Sequence, residues 1–208
     1  EDLFPHAEAL LRDTATEPGA QRRAQPWVLH LGTHGFFEIP EPDPKLEARM
    51  DEYVLSMSPS SLPFAPSRLD NPMLHSGLVL ASADTPADAT ADTDDEHIAA
   101  DGRLTAYEIS GWDLRGTELV VLSACGSGLG EPRAGEGVLG LRRAFAMAGA
   151  QTQVMSLWDV SDATTAKLME AYYRKLLAGK GRAEAMQEVQ LEMLHSGEHH
   201  PGDWASFV

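Results

Sequence analysis

Two side chains stand out in the 208-residue chain for the chemistry they could do together: one cysteine and one histidine, each closing an apolar run and each followed by glycine. Cys125, the sole cysteine, lies in VVLSACGSGLG (120–130), and His34 lies in VLHLGTHGFF (28–37). A thiol is intrinsically nucleophilic but mostly protonated at neutral pH, and a neighbouring imidazole can take its proton or stabilise the thiolate. A glycine directly after each residue lets the backbone turn sharply and a substrate come close. Their wide separation along the chain suits partners that meet only in space. Taken singly, Cys125 reads more readily as a small core residue and His34 as a hydrogen-bonded structural one. Their matched placement makes a dyad as good a reading as two structural residues.

Neighbouring motifs point elsewhere or nowhere. His30 sits inside the apolar run and reads as a satisfied core residue. His30 and His34 are four apart on a strand, not a helix, and the Glu of the helix-borne zinc motif is missing. His199 and His200 stand in the tail without a partner pattern, so no metal site and no cofactor are expected. Gly126, Gly128 and Gly130 fail the dinucleotide fingerprint because position 131 is Glu131. Gly130 and Gly135 have P-loop spacing, but Glu136 stands where a lysine is required and would repel phosphate. A nucleotide-binding α/β domain is disfavoured on these grounds. Ser127 is not in a nucleophile elbow, since position 125 is not glycine.

The elements that must carry Cys125 and His34 are short apolar strands alternating with amphipathic helices. Segments 26–35, 118–126 and 150–160 predict buried strands, and 75–83 a weaker one. The pattern of Val138, Leu141, Phe145 and Ala148 predicts a helix over 137–150 that ends at Gly149. Leu168, Met169, Tyr172 and Leu176 predict another, with Ser161 or Asp162 as N-cap and Gly179 as stop. Met186, Val189 and Met193 mark a third. Alternating strands and helices imply an α/β fold with a mainly parallel sheet covered on both faces. In such a sheet function gathers at the carboxyl ends of the strands, where His34 and Cys125 are both expected. Between the first two strands, seven of the 13 prolines crowd residues 40–72, which predicts loop. Residues 84–101 carry seven acids and no Lys or Arg, which predicts a solvated acidic insert.

Composition bounds the partners. At 43% hydrophobic and 23% charged residues, the chain reads as soluble and globular, a single domain over 1–208. No apolar run is long enough to span a bilayer, the first residues do not form a signal peptide, and a lone cysteine excludes an internal disulfide. A cytoplasmic, prokaryotic origin is the default expectation. The net charge of −16 opposes nucleic acid or an anionic membrane as partner and favours a substrate bearing basic residues. The final apolar stretch stops where a strand could begin, which suggests a fragment.

Several separate motifs together resemble one family. Residues 101–194, from DGRLTAYEISGWDLRGTELVVLSACGSGLGEPRAGEG through RAEAMQEVQLEML, are similar to CHAT domains, caspase-like cysteine peptidases of clan CD related to separases; so are VLHLGTHGFF and NPMLHSGLVLA. The proline-rich loop and the acidic insert depart from that pattern, and the strand and helix usual before the histidine strand are missing, so the domain is expected to be partial. The resemblance implies a caspase-like α/β/α sandwich and a His–Cys dyad. Cys125 would be the nucleophile, His34 its base or imidazolium partner, and the backbone N–H groups of Gly35 and Cys125 the oxyanion hole. In this clan the S1 wall follows the third strand, and separases carry a run similar to SLWDVSD. Asp159 is the favoured acid for a basic P1 residue, Asp162 doubles as a helix N-cap, and Trp158 belongs either to the pocket wall or to the core. The implied activity is endopeptidase cleavage after Arg or Lys, gated by an attached TPR or other sensor domain or by self-processing at Arg103 or Arg133, both expected in loops. A catalytically silent interaction module on the same fold is the alternative.

Overall fold

Strand β5 (Leu119–Leu122) is buried at all four positions, and its side chains part by period two. Val120 and Leu122 enter one apolar cluster, while Leu119 and Val121 enter another. A strand buried on both faces belongs at the centre of a covered parallel sheet. It pairs in parallel with β1 (Val28–Leu31) on one side and β6 (Thr152–Met155) on the other, giving the order β1-β5-β6. The computed structural model describes residues 3–21, 25–37, 71–81, 102–123, 134–158 and 160–208.

Helix α3 (Ala134–Ala148) covers the first face with Leu141, Ala144, Phe145 and Ala148. Helices α4 (Asp162–Leu177) and α5 (Arg182–Ser196) cover the second with Leu168, Met169, Tyr172, Met186 and Val189. Burying a Leu, Val, Phe or Met side chain of this set contributes on the order of 1.5–3 kcal/mol. The three layers are the expected α/β sandwich. Helix α3 stops at Gly149, whose φ of +104° no β-carbon tolerates easily and whose missing side chain admits Arg115. Ser161, not Asp162, takes the N-cap position of α4, without a side-chain hydrogen bond.

A second, antiparallel sheet lies beside the first: β2 (His34–Phe37), β3 (Ser76–Val79) and β4 (Arg103–Thr105), in that order. The expected strand over 26–35 is therefore two strands in two sheets. The chain leaves β1 at Leu31, turns through Gly32 and Thr33, and enters β2 at His34. The Thr33 hydroxyl donates to the Val79 carbonyl and fixes that corner. After β4 comes the short helix α2 (Ala106–Ser110), begun by a capping box in which Thr105 Oγ1 accepts from Glu108 N–H at 3.2 Å and Thr105 N–H donates to Glu108 Oε2 at 2.7 Å. Arg103 is a correction to the sequence reading. It is not in a loop but opens β4 opposite Val79, with its guanidinium 4.2 Å from the Phe36 ring centroid. A residue held in a ladder is not presented for cleavage, whereas Arg133 lies outside the described residues. Of the loop expected over 40–72, residues 40–70 lie outside them, as does the acidic insert at 84–101, while Pro72 opens a short 3-10 helix, Pro72–Leu74.

Candidate active site

The three parallel strands finish level with one another. Ser123 N–H, just past β5, donates to the Leu31 carbonyl at 3.0 Å, and Ser156 N–H, just past β6, donates to the Leu122 carbonyl at 3.2 Å. All the residues singled out by sequence follow these three ends. His34 comes after β1, Cys125 after the central β5, and Trp158, Asp159 and Asp162 after β6. Cys125, Gly126 and Asp159 lie outside the described residues.

His34 is exposed and faces Val79 across the ladder, and Gly35 faces Leu78. His34 thus opens β2 and does not end β1, a correction whose cause is the Gly32–Thr33 corner. Among the described residues β2 is an edge strand, so alternate backbone groups along it point away from β3. Trp158 is 45% exposed, which removes the core-packing alternative. Its indole N–H donates to the Gly202 carbonyl at 2.8 Å. The same strand end is held by the chain's last residues. Leu157 N–H donates to the Ser206 carbonyl at 3.1 Å, and Met155 and Val208 exchange two backbone bonds. Asp162 is exposed in the first turn of α4, where the helix dipole favours a carboxylate.

His30 is where sequence reasoning fell short. Alternation along β1 sends Leu29 and Leu31 to the α3 side and Val28 to the α4 side, so His30 shares the α4 side with Val28. Its Nδ1 is 2.8 Å from the Tyr173 hydroxyl of α4, and its Nε2 is 3.2 Å from Ser123 Oγ. The ring is satisfied, as expected, but it is not a core residue, because among the described residues β1 is an edge of the sheet and leaves the imidazole an exposed face. Loss of water around the rest of the ring lowers its pKa below the ordinary value. The exposed face limits that depression without changing its sign. Burial raises the Tyr173 phenol above its usual range and pushes Tyr172 up to about 12. In the tail, Lys167 Nζ lies 3.3 Å from His199 Nε2, and His200 Nδ1 accepts from Gly202 N–H at 3.0 Å. Among the described residues no three His, Cys, Asp or Glu side chains converge as metal ligands, and no helix is long and apolar enough to cross a membrane.

The CHAT domain family matches residues 2–208. The chain belongs to that family. CHAT domains are caspase-like cysteine peptidases by family, and the parallel sheet between helical layers is the corresponding α/β fold. This CHAT domain is also similar to tetratricopeptide repeat protein 28 of Mus musculus, 41% identical over 110 residues, and to its Homo sapiens counterpart, 38% identical over 109. Each match takes in 50% of the chain and 4% of the relative, so the CHAT domain spans a small part of the curated relatives it matches.

Proposed function

We propose that this CHAT domain is a cysteine endopeptidase with Cys125 as nucleophile and His34 as its partner, cleaving after Arg or Lys. The observation that carries the reading is the level finish of β1, β5 and β6. Cys125 follows Ser123 by two residues, a reach of at most about 7 Å. Its chain leaves the central strand, between the strand that runs on to His34 and the one that runs on to Trp158 and Asp159. The thiolate attacks the scissile carbonyl and forms a C–S bond, and the oxyanion takes hydrogen bonds from the N–H groups of Gly35 and Cys125. The C–N bond breaks as His34 protonates the leaving amine, and water then hydrolyses the thioester. Asp159, with Asp162 and Trp158 nearby in sequence, supplies the acid and the wall for a basic P1 side chain, and the net charge of −16 favours a basic substrate. The likeness to two proteins named for tetratricopeptide repeats supports regulation by an attached repeat domain.

The test is cleavage of fluorogenic peptides differing only at P1, with wild type beside Cys125→Ala and His34→Ala, and covalent labelling by an Arg-directed electrophile. We expect cleavage after Arg and Lys, lost by about 10³-fold or more in each variant. Preference for Leu or Asp at P1 would refute the specificity. An unlabelled wild type would refute the enzyme and leave the silent interaction module.

A further inference from the structure

Three polar side chains from three separate elements form one hydrogen-bonded line: Tyr173 on α4, His30 on β1 and Ser123 at the end of β5. Tyr173 is only 8% exposed, and its ring is held edge-on to Phe4 with centroids 5.3 Å apart. An apolar side chain at position 173 would pack the same interface without the cost of desolvating a phenol. The polar trio therefore asks for a reason beyond packing. The neutral imidazole carries one ring proton, so one of its nitrogens donates and the other accepts, and each neighbouring hydroxyl can take either part. Whichever way the proton runs, both ring nitrogens are engaged, one by the Tyr173 hydroxyl and the other by the Ser123 hydroxyl. Ser123 is consequently tied to β1 twice, through its hydroxyl to His30 and through its N–H to the Leu31 carbonyl at 3.0 Å. β1 is the strand that runs on to His34, and β5 is the one that runs on to Cys125.

We propose that His30 and Tyr173 are positioning residues of the peptidase site, clamping the end of β5 to the end of β1 through Ser123 and so fixing Cys125 relative to His34. This rests on the peptidase reading above, and the test separates the two. Tyr173→Phe keeps the ring packing and removes only the hydroxyl that meets Nδ1, Ser123→Ala removes only the hydroxyl that meets Nε2, and the double variant removes both. Three quantities are measured on the 208-residue chain: the rate at which iodoacetamide alkylates Cys125, read by mass spectrometry; kcat and KM on the Arg peptide; and Tm. Each single variant is expected to slow alkylation and lower kcat about fivefold, the factor set by one net hydrogen bond, with KM unchanged. The double variant is expected to be no slower than either single, because both break the same line. A merely structural role would lower Tm and leave the alkylation rate at the wild-type value, and that result overturns the proposal. So does a double variant whose loss is the product of the two single losses. Should the wild type cleave no peptide, the peptidase reading fails, and the alkylation rates still decide whether the clamp acts on Cys125.

Discussion

Replacing Gly77 with alanine should disturb the sheet that carries His34. Gly77 is in the central strand β3, opposite Phe36 on one side and Thr105 on the other. A β-carbon there would overlap the Leu104 carbonyl oxygen and sit 2.7 and 2.8 Å from two atoms of the Phe36 ring. The Leu104 carbonyl is backbone and cannot rotate away, and the Phe36 ring already lies against the Arg103 guanidinium. Relief therefore has to come from separating the strands. Overpacking of this kind costs about 1–3 kcal/mol, and a backbone neighbour places Gly77→Ala in the upper half of that range. For a chain of this size each kcal/mol lowers Tm by about 2–4 °C, so calorimetry should find a Tm lower by about 4–12 °C. Gly32→Ala is the matched control, since a β-carbon at Gly32 meets nothing within 4 Å. It should stay within about 0.5 kcal/mol of wild type. Because Phe36 and His34 share β2, Gly77→Ala should also lower kcat/KM on the Arg peptide more than Gly32→Ala does. A Gly77→Ala protein that melts with the Gly32→Ala control refutes the packing argument.

Acid should destabilise the fold through His30. Its folded pKa lies below the ordinary value, so between that pKa and about 6.5 the unfolded chain binds the extra proton. Stability rises with pH across that window and is lost as pH falls through it. Tm measured from about pH 7.5 down to about pH 5 should drop more steeply for wild type than for His30→Gln, and equal or reversed slopes would count against it. Phe207→Ala should remove an anchor of the β6 end. Phe207 is 2% exposed in the cluster between the sheet and helices α4 and α5, and its truncation should cost about 3–5 kcal/mol, seen as a Tm lower by on the order of 10 °C. A loss under about 1 kcal/mol would show that the tail contributes little to that layer.

Elements that pack by simple periodicity were legible in the sequence. β5 and β6, with α4 and α5, lie within the segments that alternation and helical spacing indicate, α3 begins three residues ahead of its expected start at 137, and Gly149 and Gly179 end their helices with positive φ. The two-sheet arrangement was not legible. A run such as VLHLGTHGFF is continuous in hydrophobicity, and nothing local in it says that the chain changes sheets at Gly32–Thr33, because that corner is fixed by Val79 far along the chain. β4 and α2 are too short for periodicity to register, although the Thr105–Glu108 capping box was readable at the required spacing. Arg103 was misread for the same reason.

For the candidate site the division is similar. Residue type and spacing by themselves singled out Cys125 and His34 and excluded a phosphate-binding glycine loop, since nucleophilicity, imidazole basicity and a misplaced Glu136 are properties of the residues themselves. The family too was legible there, because several separated motifs must agree at once. Only the tertiary structure decided that His34 opens a strand of a second sheet, that Trp158 is held from outside by Gly202, and that His30 joins Tyr173 to Ser123. These are contacts between distant segments. They depend on which strands become neighbours and which edge is left open, and strand order is set by packing the whole chain at once.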